Sequence, residues 1–159
     1  MYGIKVIGLG NGFRGDDGVG NLVARQLLPY QSQAISISEG GLAGLNLLDE
    51  MKDTHKLILI DAVSSLSESG TIHRFTFPQD RQTFRAVVWS TSATSTHGFG
   101  LGEALTLADT LGVLPPQVVI YGIELGTVET GGPLSPKVAD AIRSVTDRIA
   151  LQELNFSHA

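Results

Sequence analysis

The sequence predicts a three-layer α/β/α fold around a mostly parallel sheet. Short apolar segments alternate along the chain with segments whose apolar residues recur at helical spacing, the pattern of strands joined by crossover helices. The run Leu57 to Ile60 (LILI) is apolar on both pleat faces, as a central strand covered on each side must be. The chain also opens with a strand, a glycine-rich turn and a helix in succession.

Lys5 to Leu9 (KVIGL) reads as a buried strand, and Asp17 to Leu28 as a helix with Val19, Leu22, Val23 and Leu27 on one stripe. Ala34 to Ser38 is the second strand, where Ile35 and Ile37 alternate with serines. A helix over Leu42 to Met51 places Leu42, Leu45, Leu48 and Met51 together. The third strand, Leu57 to Ile60, is expected to end at Asp61. After a polar loop from Val63 to Gly70, Thr71 to Phe77 (TIHRFTF) alternates as a strand with one more exposed face, and its direction can differ from the others. Arg85 to Trp89 fits either a short strand or a helix end, and Ser90 to Thr96 (STSATST) is small and polar. Leu101, Leu105, Ala108 and Leu111 mark the next helix. Pro115 and Pro116 precede the strand Val118 to Ile123, and the loop Glu124 to Leu134 is glycine-rich. In the last helix Ser135 is the N-cap, Pro136 takes the first position, and Val138, Ile142, Val145 and Ile149 form the stripe. No repeat or linker divides the chain, so residues 1–159 are expected to form one domain.

Composition narrows the partners. The 159 residues carry 11 Lys and Arg against 16 Asp and Glu, with the basic residues scattered. That distribution argues against nucleic acid and against an anionic membrane surface. The apolar runs are far shorter than the ~20 residues a bilayer span needs, and no secretory signal pattern follows Met1. A cytoplasmic protein without membrane insertion is the expectation. Cysteine is absent, which removes disulfides, thiolate metal sites and cysteine nucleophiles together.

The turn Gly8-Leu9-Gly10-Asn11-Gly12-Phe13-Arg14-Gly15-Asp16-Asp17-Gly18 begins like a dinucleotide fingerprint. It has Phe13 where the third glycine belongs, and carboxylates where a pyrophosphate needs a positive helix end. Asp16 and Asp17 repel a phosphate and attract a cation; as purely structural residues they would cap the helix and offset its dipole. Asp61 follows the buried LILI run, and a carboxylate there is costly unless hydrogen-bonded, paired or bound to a cation. Glu39 stands in an equivalent place before Gly40-Gly41, as an active carboxylate or a turn acceptor. His97, in a loop before a helix, can ligate metal, take a proton or accept the helix's first amide. His55, His73 and His158 read as ordinary surface, strand and terminal residues.

No G-x-S-x-G or H-E-x-x-H motif occurs. A serine triad using His97 and Asp61 is conceivable, but nothing selects the serine. What stands out is an oxygen and nitrogen donor set, Asp17, Asp61 and His97, with no sulfur. Three ligands leave positions open, which suits a site that meets a metal on its substrate better than one that owns a structural ion.

The segments GLGNGFRGDDGVG, GGLAG after Glu39, LILIDA at Leu57 to Ala62, STHGFGLGEAL at Ser95 to Leu105 and YGIE at Tyr121 to Glu124 run in this order along the chain. Together they resemble the nickel-iron hydrogenase maturation endopeptidases over essentially its whole length. The resemblance implies a five-stranded twisted sheet with one antiparallel strand. It also implies an endopeptidase that removes a short C-terminal extension from the hydrogenase large-subunit precursor once nickel has been inserted. By the same resemblance Asp17, Asp61 and His97 contact the metal, and Glu39 falls where the family usually has Asp in an Asp-x-Gly arrangement, one methylene longer here. Nickel would arrive on the precursor, held by the precursor's thiolates, so that oxygen and nitrogen ligands touch it without stripping it off. Nickel could polarise the carbonyl or activate water as a Lewis acid, or it could only position the scissile bond while a carboxylate acts as base, with Asp61 and Glu39 the general-base candidates. Zinc or cadmium is expected to substitute weakly in the free protein, and a monomer is the expected state. The alternatives are a non-catalytic metal-sensing chaperone of the large subunit and a hydrolase of the same fold acting on another substrate.

Overall fold

The apolar run at Leu57 becomes the middle of a sheet. The computed structural model describes residues 3–10, 18–41, 46–89, 100–125 and 134–156. Its strands are β1 (Ile4–Leu9), β2 (Ile35–Gly41), β3 (Lys56–Ser64), β4 (Ile72–Thr76), β5 (Val88–Trp89) and β6 (Gln117–Glu124). The order across the sheet is β2-β1-β3-β6-β4, with β5 paired to the end of β3. β1, β2, β3 and β6 run parallel, and β4 is antiparallel to β6, as expected.

The helices are α1 (Gly18–Leu27), α2 (Asn46–Glu50), α3 (Arg81–Arg85), α4 (Leu101–Leu111) and α5 (Pro136–Arg148), followed by a π-type turn at Ile149–Glu153. Alternation along β3 divides the core in two. Ile58, Ile60 and Ala62 pack under α1 and α5 with Val19, Val23, Val138, Ile142 and Val145. Leu57, Leu59 and Val63 face the other way, against Leu47, Phe84, Leu101 and Leu105 of α2, α3 and α4. Among the described residues no helix is long and apolar enough to cross a membrane.

Several local expectations are corrected. β3 does not end at Asp61 but continues to Ser64. β6 keeps pairing as far as Val63↔Glu124, and β5 takes the flank beyond β1 through Val63↔Trp89 and Ser64↔Val88. Arg85 to Trp89 is a helix end followed by a strand, not one or the other. In α2 the deeply buried positions are Leu47 and, just beyond it, Met51, while Leu48 is only partly buried. Leu42 and Leu45, also placed on that stripe, lie outside the described residues. Leu111 ends α4 with 59% of its surface exposed, because Gly112 turns left-handed (φ 71°) and closes the helix before that stripe position meets the core. The last helix forms as read: Ser135 Oγ accepts from the Val138 N–H at 3.3 Å, with Pro136 in the first turn.

Two glycines set how α1 meets the sheet. A Cβ on Gly20 would lie 2.3 Å from the Ile60 carbonyl oxygen and 2.7 Å from that of Leu9, and a Cβ on Gly8 would lie 2.3 Å from the Gly20 oxygen. The first turn of α1 therefore rests backbone on backbone against the ends of β1 and β3. Gly20→Ala is expected to destabilise the protein by about 1–3 kcal/mol through overpacking. Gly18→Ala, where a Cβ meets nothing within 4 Å, should be neutral or slightly stabilising; thermal unfolding of the two variants checks the contrast.

The sheet also carries a buried ionic cluster on the α5 side. Glu153 is 3% exposed and accepts from Lys56 Nζ (3.0 Å), Arg74 Nε (3.1 Å) and the Tyr121 hydroxyl (2.7 Å). Burial pushes the Glu153 carboxyl up, but the bonds from Arg74, Tyr121 and Lys56 outweigh it and hold it below the usual range. Burial, then the bond to Glu153, pushes the Tyr121 hydroxyl pKa up, so it stays a donor. A carboxyl with a lowered folded-state pKa contributes stability that is present above its unfolded pKa of ~4.3 and is lost as pH falls through the folded value. Glu153→Gln should therefore lower the thermal midpoint at pH 7 and flatten its fall between pH 5 and pH 3, compared with the unsubstituted chain.

Candidate functional site

In an open parallel sheet, ligands bind beyond the carboxyl ends of the strands, where the strand order reverses. That reversal lies between β1 and β3: the crossover through α1 leads to β2 on one side of β1, and the next leads back to β3 on the other. Asp61 stands on β3 at this edge, 0% exposed, paired in register with Gly122 of β6. Its Oδ1 accepts from the Ala62 N–H at 2.8 Å. Alternation with Leu59 and Val63 puts its side chain on the α2 and α4 face.

Glu39 is on β2, with β1 between it and β3, so the two backbones stand about 10 Å apart, two strand spacings. Its side chain turns to α1. Arg25 Nη2 donates to Oε1 at 2.7 Å and Nε to Oε2 at 3.2 Å, a bidentate pair at the surface. One helical turn earlier, Asn21 Oδ1 accepts from the Gly40 N–H at 2.7 Å, where φ is 80°. Asn21 and Arg25 share one face of α1 and together hold the end of β2. Thus Glu39 and Asp61 share an edge of the sheet but not a face. The Arg25 hydrogen bond holds the Glu39 carboxyl below its ordinary range, burial opposing it and the Arg25 charge adding to it. Glu39 is accordingly ionised at neutral pH.

Asp17 and His97 lie outside the described residues, as do Asp16 and His158. Their neighbours are placed: Gly18 opens α1 beside Gly20, and Gly100 opens α4, its N–H donating to Glu103 Oε2 at 3.2 Å. Among the described residues no three His, Asp or Glu side chains form a metal-holding group, but two of the three expected ligands are not among them.

Sequence reasoning gave no role to a second buried carboxylate at this edge, Glu124 at the end of β6, 1% exposed. Its oxygens accept from the Ser65 N–H (2.8 Å), Ser65 Oγ (2.9 Å) and the Ser67 N–H (2.9 Å), tying down the loop after β3. His73 Nε2 lies 3.3 Å from Ser65 Oγ. Two signals were available: Glu124 closes an apolar strand just as Asp61 follows LILI, and it ends the YGIE segment.

The model of the hydrogenase maturation protease family (HycI) matches residues 21–152. The chain belongs to the hydrogenase maturation protease family. The hydrogenase expression/formation protein HupD of Bradyrhizobium diazoefficiens is 31% identical over 147 residues, covering 91% of this chain and 74% of that longer protein. The hydrogenase 2 maturation protease of Escherichia coli is 28% identical over 158 residues, covering 94% of this chain and 91% of that one. The solved hydrogenase maturating endopeptidase HybD from Escherichia coli superposes with a TM-score of 0.76 at 26% identity, covering 97% of this chain and 94% of that one.

As a maturation protease, the chain is a peptidase. Arg25→Ala should let the Glu39 pKa rise toward the ordinary carboxylate value, as followed by carboxyl NMR. It should change stability little, because the pair is exposed. An unchanged Glu39 titration would show that Arg25 does not hold it.

Proposed function

We propose that this maturation protease removes the C-terminal extension of a nickel-iron hydrogenase large-subunit precursor in the cytoplasm, and that nickel carried by the precursor gates the cut. The observation that carries the reading is Asp61, a buried carboxylate at the switch point of the sheet in a chain matched over residues 21–152 to the hydrogenase maturation protease family. Asp17, Asp61 and His97 would contact the substrate's nickel. They are oxygen and nitrogen donors, and with no cysteine in the chain the precursor's thiolates keep the metal. Binding the metal positions the scissile bond, which lowers the barrier by proximity.

A water then attacks the scissile carbonyl. Its proton passes to a carboxylate, and from there to the departing amine as the peptide bond breaks. Asp61 and Glu39 are the two acceptors to weigh. Glu39, ionised and at the surface, can accept a proton only after turning from Arg25. If it is the base, Arg25→Ala shifts the acidic limb of the pH–rate profile upward with the Glu39 pKa; if Asp61 is, that limb stays in place. In the free protein the same open ligand set is expected to take nickel, zinc or cadmium weakly, and more weakly as His97 becomes protonated.

Intact-mass analysis of precursor with and without nickel, treated identically, is the test. Nickel-loaded precursor should lose its extension and nickel-free precursor should not. Asp17→Ala and His97→Ala should slow processing at least ~100-fold, the range seen when positioning and electrostatic groups are removed, and Asp61→Ala at least as much. Equal processing of both precursor forms would sink the metal gate and leave an ordinary peptidase.

A further inference from the structure

The loop after β3 displays a leucine in an unusual way. Leu66 has φ 66°, the left-handed region that Gly or Asn ordinarily fills, and its side chain is fully exposed at 103%. An exposed leucine alone says little. Here the exposure is built. The buried Glu124 carboxylate takes the N–H groups of Ser65 and Ser67, the residues on either side. The far end of the loop is pinned by the Gly70 N–H to the Glu124 carbonyl (2.7 Å), the Glu124 N–H to the Thr71 carbonyl (2.9 Å) and Ser69 Oγ to the Leu125 carbonyl (3.2 Å). A left-handed backbone at a leucine costs stability, and the bonds to Glu124 on either side hold it, so that the loop presents an apolar knob in a set position.

The knob stands at the carboxyl edge, on the chain that leaves β3 just beyond Asp61. Val88, the cross-strand partner of Ser64, is 57% exposed at the same strand end. We propose that Leu66 is a docking anchor for the precursor protein, entering an apolar socket on the folded substrate while its C-terminal segment is cut. This rests on the reading of the chain as the precursor's endopeptidase. A protease that cuts one bond of a folded protein gains selectivity from contacts remote from that bond, and a single well-placed anchor can dominate such an interface.

The test uses the full chain and nickel-loaded precursor, with steady-state processing followed by intact mass. Leu66→Asn keeps a residue that tolerates the left-handed conformation and removes the apolar surface. Its kcat/KM should fall about tenfold, carried by KM, while its thermal midpoint does not fall. Leu66→Met, which keeps apolar reach, should stay within about threefold of the unsubstituted chain. An unchanged KM in Leu66→Asn, or a loss confined to kcat, overturns the anchor. So does a dimer of the unsubstituted chain that Leu66→Asn dissociates, since the socket would then lie on a second copy. If the unsubstituted chain fails to process the precursor, the functional reading itself falls and takes the anchor with it; normal processing with an indifferent Leu66 removes the anchor alone.

Discussion

The carboxyl edge is organised by one contact without side chains. Gly8 and Gly20 let the first turn of α1 lie directly on the ends of β1 and β3, with the Gly20 Cα hydrogen where any Cβ would meet the Ile60 and Leu9 carbonyls. Close packing transmits such a constraint, because the interior has little slack. From that seat Asn21 and Arg25 reach the end of β2, while Gly20 rests on the carbonyl of Ile60, the residue before Asp61. A wider separation of helix and sheet would move both sides of the edge at once.

The buried carboxylates divide into different roles by what satisfies them. Glu153 meets two cations and a phenolic hydroxyl, a closed set that locks the π-type turn at the end of α5 to β3, β4 and β6. Glu124 meets backbone N–H groups and a serine hydroxyl, and its product is a loop shape. Asp61 accepts from its own neighbour's N–H at Oδ1 and stands where the sheet opens to ligands. Burial alone does not tell such carboxylates apart: Glu153 and Glu124 differ in the groups that satisfy them, and Asp61 is set apart by its place on the sheet.

Much of this was legible in the sequence because it is local. The LILI run, the Ser135-Pro136 start of α5 and the alternation at Ile35 and Ile37 each express a period or a cap that needs no distant partner. What escaped depends on pairing across the chain. The extension of β3 past Asp61 is set by Glu124 and Trp89, far along the sequence. The burial of Glu153 follows from Lys56 and Arg74 on other strands, although its spacing of four from Ile149 continues the apolar stripe and was a usable sign. Leu66 gave no sign at all, since nothing in a serine-rich loop marks a leucine as left-handed.

Glu39 shows how one methylene can change the wiring of a site. The glutamate side chain spans from β2 to α1 and closes a bidentate pair with Arg25. An aspartate at the same backbone position would fall short by about one carbon–carbon bond, roughly 1.5 Å, enough to turn hydrogen bonds of this length into none. The longer side chain therefore does more than carry charge: it couples the β2 carboxylate to the helix that already fixes the edge through Gly20. Alternation with Ile35 and Ile37 puts Glu39 on the face opposite Asp61. Any reaction that uses both carboxylates on one substrate must first exchange Arg25 for that substrate, so the ion pair sets the resting state from which the chemistry departs.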